Sequence, residues 1–190
     1  MFIKSIINHI KELCKDVKYA YLMNKLKKSS NNRKLEEASK YLAKWLDIKE
    51  IPYDNYNIVI VNSIDDYVGI TNWALPPRGL AKYSSREIIL DFNRIEEDSI
   101  AFNQPIEIML IIYVLHEARH AMQYKYVENN YGKEAVGDTL ELNNSLPWYL
   151  SDMEIDATEY SKNFVLGIKY ETSVKEVMEK FMANTFQVAC

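Results

Sequence analysis

Residues 105–120 read PIEIMLIIYVLHEARH, and the fold turns on how this stretch is read. Pro105 can open a helix, because the N–H it lacks has no partner in a first turn. From Ile106 to Leu115 every residue except Glu107 is apolar or aromatic. A helix apolar nearly all round has no face for water, so this one is expected inside the molecule. It continues without a break into His116-Glu117-Ala118-Arg119-His120 and on to about Val127. The polar cluster Asn129-Asn130-Tyr131-Gly132 ends it.

The five residues HEARH carry chemistry. His116 and His120 are four apart and leave the same face of a helix, one turn from each other. Two imidazoles so placed can meet one zinc ion at about 2.0–2.1 Å each. Glu117 is rotated by about 100° around the axis. It misses the direction in which the imidazoles coordinate but can reach a water on the metal, which is where a general base belongs. The chain has three histidines, and two of them fall in these five residues. Buried imidazoles without partners are costly, and a metal satisfies them. A catalytic zinc site also needs a third protein ligand. After His120 the chain reads AMQYKYVENN, with no third histidine, and Cys14 and Cys190 are not spaced as ligands. The third ligand is therefore expected to be a carboxylate of Ser151-Asp152-Met153-Glu154-Ile155-Asp156-Ala157, with Glu154 and Asp152 both open.

Working outward, apolar residues at helical spacing predict helices over 2–27 and 33–47, with Ser29-Ser30-Asn31-Asn32 between them and Pro52 after them. The two can form an antiparallel hairpin. Tyr56 to Val61 reads as a short buried strand. Residues 64–80 hold two glycines and two prolines and read as turn and loop, with a short strand near Val68–Thr71. Lys82-Tyr83 and Glu87 to Phe92 read as a hairpin or one bent strand, whose charges suggest a sheet edge. Helices are expected over 133–142, over 150–167 with Gly167 as its cap, and over 172–187. The fold class is α+β: a small antiparallel or mixed sheet packed on a buried active-site helix, with an N-terminal helical hairpin and C-terminal helices.

Bulk properties narrow the function. The chain has 190 residues and a net charge of −4, which leaves no basic surplus to drive nucleic-acid binding. The short basic stretch Lys25–Lys34 reads as a solvated helix end and loop. No stretch reaches the roughly 18 apolar residues that span a bilayer. The N-terminus is amphipathic rather than signal-like, and two isolated cysteines suit a reducing compartment, so the cytoplasm is expected.

With these motifs together, the sequence resembles the HExxH zincin metallopeptidases of the gluzincin kind, closest to the small ImmA/IrrE-like group. The likeness rests on His116-Glu117-x-x-His120 followed by Glu154-Ile155-Asp156-Ala157, and spans roughly residues 56–166. It implies Zn²⁺ held by His116, His120 and Glu154, with Glu117 as catalytic base and Asp156 holding a ligand imidazole by its N–H. It also implies that segment 81–92 aligns an extended peptide. Domain organisation is then a helical hairpin over 1–50 and a zincin-like domain over 51–190. The function expected is zinc-dependent hydrolysis of peptide or protein substrates. The alternative is a metallopeptidase-shaped binding or regulatory module with a protein partner, docked through the hairpin. Tyr149 and Tyr160 are candidates for donating to an oxyanion or for packing. Arg119 is expected to pair with Asp156 or with a substrate carboxylate, and His9 to be an ordinary helix residue.

Overall fold

A computed structural model describes residues 32–69 and 76–188. Among them the order is α1 (Asn32–Ile48), β1 (Asn57–Val61), α2 (Ile64–Val68), β2 (Gly79–Lys82), a 3₁₀ turn at Tyr83–Ser85, β3 (Glu87–Asp91), α3 (Phe92–Ala101), α4 (Ile106–Tyr131), α5 (Lys133–Ser145), a second 3₁₀ turn, α6 (Asp152–Leu166) and α7 (Val174–Val188). The class is α+β, with seven helices and one three-stranded mixed sheet among these residues. The helix expected over 2–27, its hairpin with α1, His9 and both cysteines lie outside the described residues.

The sheet order is β1-β3-β2, with β1 parallel and β2 antiparallel to β3. This corrects one expectation. Glu87–Asp91 is the central strand, and Ile88, Ile89 and Leu90 are fully buried. Its charged ends gave a misleading edge signature, because Glu87 and Asp91 spend their carboxylates locally. Glu87 accepts from Tyr67 and Ser85, and Asp91 from the backbone N–H groups of Ile64 and Arg94. The true edges are β1 and β2. On β1 the outward N–H of Ile60 donates to Ser39 Oγ of α1 at 2.8 Å, which closes that edge.

Residues 64–68 form a helix where turn and loop were expected, because Ser63 caps the N-terminus and Asp65 and Asp66 occupy its first turn. Residues 70–71, the rest of the expected short strand, are outside the described set. Phe92 begins α3 rather than ending a strand, since Asp91 accepts from Arg94 N as a helix cap.

α4 is the internal element. Its buried residues lie all round the axis and include Ile111, Val114, Leu115 and Ala118. The sheet packs on it from one side and α6 from another. The core is shared with α1, where Trp45 meets Phe164 of α6 edge-on at 5.9 Å. No helix among the described residues is long and apolar enough to cross a membrane.

Candidate metal centre

His116 and His120 leave α4 one turn apart and converge. Their Nε2 atoms are 3.1 Å apart. α6 brings Glu154 against both, with Oε2 at 3.2 Å from His116 Nε2 and Oε1 at 3.4 Å from His120 Nε2. A tetrahedral ion with bonds of about 2.0–2.1 Å would space its ligand atoms about 3.3 Å apart. Each of the three separations is close to that edge length, with the two imidazoles facing different oxygens of the Glu154 carboxylate, and the donors are those that suit a divalent metal. The His-His-Glu group can therefore hold a metal ion.

Asp152 does not take part. It starts α6 on another side, where its carboxylate accepts from Lys180 Nζ at 2.5 Å. Rotation along α6 decides between the two acids: Glu154 is about 200° further round than Asp152. Ser151 caps this helix and accepts from Glu154 N. In a capping box, the glutamate at this position folds back to the cap. Here the Glu154 carboxylate is turned to the imidazoles instead. Asn143 of α5 donates to Oε1 at 3.0 Å, and Ser151 Oγ donates in turn to Asn143 Oδ1. Burial raises the Glu154 pKa, but the adjacent imidazoles outweigh it and hold the carboxyl well below its ordinary range. Burial lowers the His120 pKa, but the Glu154 charge and hydrogen bond more than reverse this, so the net shift is upward.

His120 is held from behind. Its Nδ1 lies 2.7 Å from Gln123 Oε1. The Gln123 amide nitrogen donates to Met153 O at 3.1 Å and Asp156 Oδ2 at 2.8 Å, so its oxygen is left as the acceptor. In the neutral imidazole, the form that binds a metal, Nδ1 is then the protonated nitrogen and the Nε2 lone pair faces the cluster. This corrects the expected role of Asp156. It does not touch an imidazole and reaches His120 only through Gln123. Its main partner is Arg119, whose Nε and an amino group donate at 2.7 and 2.9 Å, as expected for a structural ion pair. Tyr170 also donates to Asp156, at 2.8 Å.

Glu117 is 6% exposed. Its Oε2 accepts from Ala81 N of edge strand β2 at 2.8 Å. β2 comes this close because residue 79 is glycine: a Cβ there would lie 2.7 Å from Glu117 Cγ. Burial raises the Glu117 pKa and Glu154 adds to that, while the imidazoles and the Ala81 N–H pull it down; the net shift is upward. Tyr124 stacks on His120 at 6.1 Å and meets Tyr83 edge-on. Of the two tyrosines singled out in the sequence, Tyr160 lies over the Arg119 guanidinium at 5.0 Å, a packing role, and Tyr149 is exposed.

Sequence reasoning missed Gln123, Asn143 and Gly79. Gln123 had a faint signal, since it follows His120 by three residues in a buried helix. Asn143 and Gly79 had none, because their partners are contributed by other elements. No family model, curated protein or solved structure matches the chain.

Proposed function

We propose that the chain is a zinc metallopeptidase, working inside the cell, that hydrolyses peptide bonds with Glu117 as general base. One observation carries this reading: the imidazoles of HEARH and the Glu154 carboxylate meet at tetrahedral spacing with a buried, non-ligating glutamate beside them. Two nitrogens and one carboxylate oxygen are a donor set that suits zinc. A zinc ion there supplies a Lewis acid that acidifies water and polarises a carbonyl. Glu117, raised in pKa, takes a proton from the attacking water and returns it to the leaving amine nitrogen as the C–N bond breaks. The resemblance to the gluzincin peptidases supports peptide as the substrate. Two isolated cysteines support a reducing compartment.

The test is Glu117→Gln. It should keep the metal and lower peptide hydrolysis by about 10²–10⁴-fold. A variant that cleaves at the wild-type rate contradicts the mechanism. A metal-loaded wild type that yields no metal-dependent product from a proteome-wide peptide mixture would favour the binding-module alternative.

A further inference from the structure

α5 carries a glycine that its own structure does not require. Gly137 lies within Lys133–Ser145 and has no positive φ, so no left-handed backbone asks for it. A Cβ built there meets nothing within 4 Å, so no close neighbour asks for it either. A glycine inside a helix weakens it relative to alanine. What Gly137 faces is a groove of about 450 Å³ between α5 and edge strand β2. Leu80, Ala81 and Tyr83 form one wall, and Gly137 and Leu140 stand on the other.

Both walls lead to the metal centre. On β2, Ala81 donates to Glu117. On α5, Asn143, one turn beyond Leu140, donates to Glu154. The groove and the chemistry therefore share their supports. Each sheet edge has one N–H held by a side chain, Ile60 by Ser39 on β1 and Ala81 by Glu117 on β2, but of the two it is β2 that borders this groove. A strand edge beside a groove takes an extended chain through its main-chain groups, and the opposite wall then reads a side chain.

We propose that Gly137 is a specificity-determining residue, clearing the α5 wall so that one large apolar side chain of an extended peptide fits against Leu80 and Leu140. This rests on the hydrolase reading above. Without a Cβ at 137 the wall is a shallow bay, and any larger residue fills it. The experiment compares metal-loaded wild type with Gly137→Ala, Gly137→Leu and Gly137→Phe on a mixture of peptides, reading cleavage positions, Tm and metal content. Wild type should favour peptides with a large apolar residue at one fixed distance from the cut. Gly137→Leu and Gly137→Phe should cut those at least about tenfold more slowly and keep their rate on peptides with glycine or alanine there. Gly137→Ala should have a Tm at or above wild type and an intermediate preference. The graded series keeps the test valid where the largest variant fails to fold. Cleavage profiles that do not change with the residue at 137 overturn the inference and leave the hydrolase reading standing. A wild type that cleaves nothing overturns that reading, and the inference with it.

Discussion

Two polar clusters sit between α4 and α6, and they are built differently. In one, Arg119 and Asp156 face each other with good geometry. Gln123 and Tyr170 take the remaining acceptor sites of Asp156, and Thr172 O accepts from Arg119. Every charge there has a protein partner. In the other, His116, His120 and Glu154 gather two imidazoles and a carboxylate at tetrahedral spacing, with His120 held from behind by Gln123 and Glu154 by Asn143. The first cluster is complete with protein alone. The second turns three side chains that can ligate a metal ion toward one another. The lesson is that burial and charge alone do not mark a site; groups aimed at one common point do.

The comparison predicts opposite responses to mutation. Asp156→Ala leaves Arg119 buried without its carboxylate and should cost about 3–5 kcal/mol of stability in urea unfolding of the metal-free protein. Glu154→Ala should cost that protein less and abolish tight metal binding. Equal losses of stability would make the histidine cluster a second structural network. Gln123→Leu probes the link between the two. It should lower metal affinity about 10–100-fold, read by competition with a chelator. An unchanged affinity would mean that His120 needs no orienting partner. Asp152→Asn should do least. Its pair with Lys180 is largely solvent-exposed on the lysine side, so the loss should stay under about 1 kcal/mol, with metal affinity unchanged. A large loss of metal there would reinstate Asp152 as a ligand.

Much of this was legible in the sequence. The internal helix follows from the run Ile106–Leu115, because a pattern without a polar face leaves only burial. His116, Glu117 and His120 follow from helical spacing alone. Spacing could not choose between Glu154 and Asp152, since that depends on how α6 is rotated against α4. Lys180 on α7 draws Asp152 aside, and no local pattern contains that fact. The sheet order was hidden for the same reason. β2 has four residues, too few for a period to show, and its place is fixed by the β3 backbone and by Glu117. Gln123 and Asn143 each look like one polar residue in a helix until Met153 and Asp156, 30 and 33 residues on from Gln123, and Glu154, 11 residues on from Asn143, are folded against them.

Anomalous scattering at the zinc edge from metal-replete crystals reads the metal centre itself. One peak is expected within bonding distance of His116 Nε2, His120 Nε2 and the Glu154 carboxylate, with Asp152 still paired to Lys180. The absence of a peak between the two imidazoles, or a peak ligated by Asp152 in place of Glu154, would contradict that ligand set.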